Sequence, residues 1–162
     1  MKLFIELILF LGLFTLMVRI AAGDNGINAL YFYPKEFRET AYRRGLADRE
    51  NVRRERRSFL IFFSLVLLAA LLISIHLNKP ENFMQAYLQS LLFLEIMNRY
   101  DGIVIDRIWV SSSRLWVIKG MEDIAYVKSW KQILKERIKL SVIWLVLAAV
   151  VAGCVMLTGG IK

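Results

Sequence analysis

The polar and apolar positions of this chain are sorted into blocks rather than interleaved. Leu3 to Ala22 is broken only by Glu6, Thr15 and Arg19, and Phe59 to Leu77 only by Ser64, Ser74 and His76. Leu140 to Leu157 carries only Ser141 and Cys154. A helix of about 20 mainly apolar residues covers the roughly 30 Å hydrocarbon layer of a bilayer, so each block predicts a spanning helix. A fourth block, Phe83 to Met97, is shorter. Read as one helix from Phe83 to about Trp109, it is long enough to span and ends in a polar stretch. The expected fold is therefore an all-α integral membrane protein, a four-transmembrane-helix bundle forming a single domain over 1–162. Its spans are expected at 3–22, 59–77, 83–109 and 140–158, with cytoplasmic segments at 23–58 and 110–139 that carry amphipathic helices.

The basic residues set the orientation, because Lys- and Arg-rich loops stay cytoplasmic. Nine lie between Gly23 and Arg57 and seven between Arg114 and Lys139, against Lys2, Lys79 and Lys162 on the other side. Both termini are thus expected outside and both basic segments in the cytoplasm, as in a bacterial inner (plasma) membrane protein with several passes. Lys2, the apolar run and Ala21-Ala22-Gly23 also look like a cleavable leader. Arg19 beside that site, and the strongly basic segment after it, favour a retained helix.

Composition narrows the classes further. With 57% hydrophobic residues the chain is neither a water-soluble globule nor disordered. The net charge of +8 comes from the juxtamembrane segments. Such segments are an ordinary topology signal and suit anionic lipid, so the lipid bilayer is the expected partner and nucleic acid is not. The single cysteine, Cys154, forbids an internal disulfide or a Cys-cluster metal site and reads as a small packing residue. No phosphate-binding G-x-x-x-x-G-K-[ST] loop is present, so any transport would draw on a gradient or a partner ATPase. Ala148, Ala149, Ala152 and Gly153 form small-xxx-small steps suited to packing within the bundle or to a homo-oligomer.

Both basic segments are patterned. Tyr31-Phe32-Tyr33 suits the headgroup level. Pro34 can open and Gly45 close a short helix over Lys35 to Arg44, and Asp48 can cap a second helix running through Arg57 into the next span. In the other segment, Tyr126, Trp130, Ile133, Leu134 and Ile138 fall on one helical side. Lys128, Lys131, Lys135 and Lys139 fall on the other, with Arg137 the exception. That predicts an interfacial helix lying on the inner leaflet before the chain turns into the last span, or docking a cytoplasmic partner.

The densest chemistry lies at the end of the third span. On an α-helix Glu95, Asn98, Arg99, Gly102 and Asp106 share a face about 100° wide, with Asp101 flanking Asn98. Ionisable groups near bilayer depth cost at least ~2.5 kcal/mol each, so they persist when paired, when lining a wet cavity or when binding something. Two arrangements compete. In one, Glu95 pairs with Arg99 and Arg107 sits near Asp106 and Ser111, an internal salt-bridge ladder. In the other, Asn98, Asp101 and Asp106 offer oxygens to Mg²⁺, with Arg99 and Arg107 holding a phosphate.

Asn98-x-x-Asp101-x-x-x-x-Asp106 is similar to the Asn/Asp-rich motifs of intramembrane prenyltransferases, and Asp101-Gly102 with a nearby Arg resembles the CDP-alcohol phosphotransferase signature. The second Asp is five residues on rather than four, a second acidic motif is absent, and four spans fall short of either fold. A fuller resemblance covers about 30 residues. Asn98-x-x-Asp101-x-x-Val104-Ile105-Asp106-x-x-Trp109, then Ile118-Lys119-Gly120-Met121-Glu122-Asp123, resembles a family of small four-span bacterial membrane proteins of unknown function. Lys119 stands where that family usually has Pro, and Met121 where it has Thr. The resemblance implies that Glu122 and Asp123 fold back beside Asp101 and Asp106, and it carries no activity with it.

Elsewhere, Glu6 and His76 lie near the outer face and can meet across the bundle as a proton-linked pair. The expected function is membrane-embedded binding or transport of a small ligand or ion at a polar site at the cytoplasmic end of the third span. The alternatives are a divalent-cation-dependent lipid or phosphate transferase and an accessory or scaffold subunit of a membrane complex.

Overall fold

The computed structural model describes residues 1–23, 26–124 and 126–158, and no strand occurs among them. Lys162, expected on the outer side, lies outside the described residues. Helix α1 (Lys2–Ala22) is followed by a 3₁₀ segment (Ile27–Phe32), then α2 (Lys35–Arg43) and α3 (Arg49–Asn78). Next comes α4 (Phe83–Tyr100), which runs through a π-helical segment (Asp101–Trp109) into one short turn, α5 (Val110–Ser112). A 3₁₀ turn (Arg114–Trp116) and an irregular stretch lead to the last helix, α6 (Trp130–Leu157). Among the described residues three helices, α1, α3 and α6, are long and apolar enough to cross a membrane.

Local chemistry sets these limits. Pro34 opens α2, and Gly45 (φ 70°) closes it with the paired bonds Leu46 N–H to Ala41 O and Gly45 N–H to Tyr42 O, the hydrogen-bond pattern of a left-handed C-terminal cap. The Asp48 carboxylate accepts the Asn51 N–H at 2.9 Å and starts α3, which carries the Arg-rich stretch straight into the apolar one.

Helix α1 lies between α3 and α4, with Phe14 edge-on to Phe63 (5.6 Å) and Phe10 edge-on to Phe93 (5.5 Å). The start of α1 meets the end of α3, where Lys2 Nζ donates to the Leu77 carbonyl at 2.8 Å. Helices α4 and α6 form the most extensive pair in the molecule. Ala148 and Ala152 of α6 are both fully buried, so that small-residue step serves packing within the chain. Cys154 on the same helix is exposed and fills no core position.

Two sequence expectations change here. The segment 122–139 is not a separate interfacial helix. A capping box of Ser129 and Gln132 starts α6 at Trp130, and the helix continues without a turn to Leu157. Tyr126 therefore lies off the helix, Trp130, Leu134 and Ile138 stay exposed, and the inward face carries Ile133 and Arg137. The second concerns one member of the aromatic triplet: Tyr33 turns inward, while Tyr31 and Phe32 are half-buried. Tyr33 is buried, stacks on Phe37 at 4.8 Å and donates its hydroxyl to the Trp116 carbonyl at 2.7 Å. Burial pushes its phenol well above the usual tyrosine range.

Candidate functional site

The rod that begins as α4 changes its helical repeat at Asp101. From Asp101 to Trp109 the turns are π-helical, and the Val110 N–H reaches back five residues to the Ile105 carbonyl. In an α-helix, residues five apart point about 140° from one another, since each step turns about 100°. π-turns wind less per residue and bring such residues towards one side. Asp101 and Asp106 consequently address the same partner.

That partner is Arg137 of α6. One terminal nitrogen of its guanidinium bonds the Asp101 carboxylate, and the other donates to Asp106 Oδ2 at 3.0 Å. Lys128, just before α6, adds a second cation, 3.3 Å from Asp106 and 2.8 Å from Glu136. Asn98 is 2% exposed, and its amide nitrogen donates to the Arg137 carbonyl and to Ser141 Oγ, each at 3.0 Å. The Ser141 hydroxyl in turn donates a hydrogen bond to Glu95 Oε2 at 3.0 Å. A continuous polar seam thus joins Glu95 to Glu136 along the α4–α6 contact. Gly102 lets the helices close over it, because a Cβ there would lie 3.1 Å from the Arg137 stem and from Ile133 Cγ2.

The seam floors a cavity of about 290 Å³. Asn98, Asp101, Asp106, Lys128 and Arg137 form the polar end. Phe14 of α1, Phe59 and Phe63 of α3 and Met97 of α4 supply apolar wall, and Trp116 and Trp144 line it too. Both indole N–H groups are buried without an acceptor, as is Arg137 Nε.

The sequence-predicted residues divide around this site. Asn98, Asp101 and Asp106 come together, yet they face Arg137 and Lys128 rather than a cation from solution. Among the described residues, no three His, Cys, Asp or Glu side chains gather in a way that could hold a metal. Asp101 and Asp106, expected with Asn98 to offer oxygens to Mg²⁺, bond the chain's own Arg137 and Lys128 in this structure. Glu95 does meet Arg99, at 3.5 Å, but Arg99 is 72% exposed and the pair is loose. Arg107 does not approach Asp106. It lies over the Trp130 ring at 5.3 Å, while Ser111 donates to its carbonyl.

Glu122 and Asp123 do not join the seam and do not line the cavity. Glu122 accepts the Gly120 N–H at 2.8 Å. Asp123 takes two bonds from the Arg44 guanidinium at 2.8 and 2.7 Å, which hold its carboxyl at about 2, well below the usual range. Glu6 is held by Asn78 Nδ2 at 2.7 Å and by Lys2 at 3.7 Å, whereas His76 is exposed, so the proton-linked pair does not form.

Arg137, Lys128, Ser141, Trp116 and Trp144 were the residues missed. Arg137 did leave a trace, as the one cation out of place on the Lys-rich helix, and Trp144 as a lone indole within an apolar block. No family model matches the chain, and no curated protein or solved structure matches it either.

Proposed function

We propose that this chain is a four-span membrane protein that binds a small amphiphilic ligand in the cavity between α1, α3, α4 and α6. The rod formed by α4, the π-helical segment and α5 supplies the fourth crossing, and both termini lie outside. The asymmetry of basic residues supports that orientation. With that orientation the Arg137 seam would lie at the cytoplasmic end of the third span, in the block from Asn98 to Trp109 that resembles small four-span bacterial proteins.

The single observation that carries the reading is the cavity: lined mostly by aromatic and aliphatic side chains, with one cluster of charged groups, and near the lower limit of ligand-site volumes. Ligand pockets have this composition, with mostly apolar walls and a few convergent polar groups. An interruption of α-helix by π-turns beside it is a further mark of functional positions. A lipid or phosphate transferase fits less well, since Asp101 and Asp106 are already committed to Arg137 and Lys128. That same commitment favours an accessory subunit as the second reading, with the seam serving only to lock α4 to α6.

Quenching of tryptophan fluorescence distinguishes the two. With Trp130→Phe removing the exposed indole, titration with methyl 9,10-dibromostearate should quench the remaining emission and saturate near one probe per chain. Quenching that rises linearly without saturation, as from random collisions in the apolar phase, contradicts a ligand cavity.

A further inference from the structure

We propose that the cavity is filled sideways from the bilayer, through a gap between α3 and α6, by one acyl chain of an anionic phospholipid whose headgroup rests on Arg53 and Arg57. This rests on the reading that the cavity is a ligand site in a membrane-spanning bundle, and it names the ligand class and its route.

The route is read from one stripe of α3. Leu60, Ser64, Leu67, Leu71 and Ile75 follow one another at steps of three or four residues and so share a helical face. Towards the end of the helix that face is covered: Leu67, Leu71 and Ile75 are 7%, 1% and 0% exposed. One turn earlier the cover stops. Leu60 is 45% exposed and Ser64 is exposed as well, yet both line the cavity. Helix α6 changes in the same way along its length. Ala148, Ala152 and Val155 are buried, whereas Leu140 and Trp144, which line the cavity, are only half-buried.

The other flanks are closed. On the α1 side Phe63 meets Phe14 edge-on at 5.6 Å, and Phe59 meets Phe32 edge-on at 5.2 Å. At the end nearest the basic segments Tyr33 and Trp116 are 5% and 1% exposed and share a hydrogen bond. Between α4 and α6 the Arg137 seam ties one helix to the other. What is left open is the flank between α3 and α6, and in the proposed bundle its neighbour is lipid.

Charge selects the occupant. The stripe runs back from Leu60 to Arg57 and Arg53, at steps of three and four residues. Both arginines are exposed, and among the described residues neither has a hydrogen-bond or ion-pair partner, whereas Arg49 is held by Glu39 and Arg54 reaches Asn51. The segment from Arg49 to Arg57 holds five arginines against two glutamates, so the surplus is met from outside the chain. A guanidinium suits a phosphate in geometry as well as charge. Inside, Asp101 and Asp106 are bonded to Lys128 and Arg137, so the cavity presents no unpaired charge to a headgroup and takes the apolar chain instead. Its volume of about 290 Å³, walled by Phe14, Phe63 and Met97, suits part of one acyl chain rather than a whole diacyl lipid.

Lipids brominated on the acyl chain test this with the intact Trp130→Phe protein in phosphatidylcholine vesicles, read as tryptophan quenching. Quenching by dibromo-phosphatidylglycerol should saturate, at a mole fraction about tenfold below that at which dibromo-phosphatidylcholine quenches equally. Arg53→Gln with Arg57→Gln should bring the two lipids within about twofold of each other, while Arg43→Gln with Arg54→Gln, the same loss of charge off the stripe, should keep the preference. Ser64→Phe, which sets a ring in the exposed mouth, should abolish the saturable quenching. Equal quenching by the two lipids in the Trp130→Phe chain, or saturable quenching that survives Ser64→Phe, overturns the proposal. The cavity reading then stands if methyl 9,10-dibromostearate still saturates near one probe per chain, and falls with it if that probe does not. The two-lipid comparison decides the matter even if a further variant does not fold.

Discussion

The two ends of the helix bundle use the same residue types to different effect. At one end the cation is in solvent: Lys2 is 62% exposed, lies 3.7 Å from Glu6 and also reaches the Leu77 carbonyl, while Asn78 holds Glu6. At the other, Arg137 is 14% exposed and ties two carboxylates of a neighbouring helix together. Exposed pairs add roughly 0–1 kcal/mol, because water already satisfies both charges. A buried pair adds little on net either, but removing one partner strands the other. Position, not pairing as such, decides which charges the fold depends on.

Breaking the buried end should therefore have the largest effect. Arg137→Gln leaves Asp101 without a cation and should destabilise the protein by about 3–5 kcal/mol, read as a lower melting midpoint in detergent. Adding Asp101→Asn and Asp106→Asn to that variant should restore much of the loss. If the single variant melts like the parent, the seam is not what joins α4 to α6.

A loose pair on the same helix sharpens the contrast. Arg99 reaches Glu95 at 3.5 Å from a mostly solvated position, while Glu95 keeps its bond from Ser141. Arg99→Gln should cost under about 1 kcal/mol in the same melting assay. A loss comparable to that of Arg137→Gln would erase the distinction between the two pairs.

The smallest effect is expected at Arg44–Asp123, which lies in solvent. The Arg44 bonds hold the Asp123 carboxyl at about 2 in the folded chain, below the ordinary aspartate value of about 3.9. A lowered folded-state value means the contribution is present above about pH 4 and is lost as pH falls towards 2. Amide exchange in the turn from Lys119 to Ile124, corrected for intrinsic rates, should speed up in that interval and stay flat between pH 5 and 8. Protection that is unchanged at pH 2 would show that Arg44 does not hold the turn.

The same contrast explains what could be read in the sequence. The long apolar helices α1, α3 and α6 were legible because twenty apolar residues in a row have few other uses. The caps at Asp48 and Gly45 were legible because they act within one turn of their own residues. Asn98, Asp101 and Asp106 stood out as costly groups in an apolar setting. What they met was not legible, since Arg137 lies on another helix 31 residues beyond Asp106 and spacing says nothing about such a partner. The π-turns were hidden too. They change which residues share a face, so an α-helical wheel separates Asp101 from Asp106 when the fold aligns them. The interfacial helix expected at 122–139 failed for a related reason: its stripe was genuine, but the Ser129–Gln132 capping box started the helix later and carried it unbroken into the apolar block.

The central claim is that the space above Arg137 is built for an occupant. A crystal structure of the protein grown from a lipid mesophase tests that claim most directly. Elongated density in the cavity, in contact with Phe14, Phe63 and Met97, is the result the account predicts. A collapsed cavity in which both indoles bond to acceptors of the protein itself would contradict it.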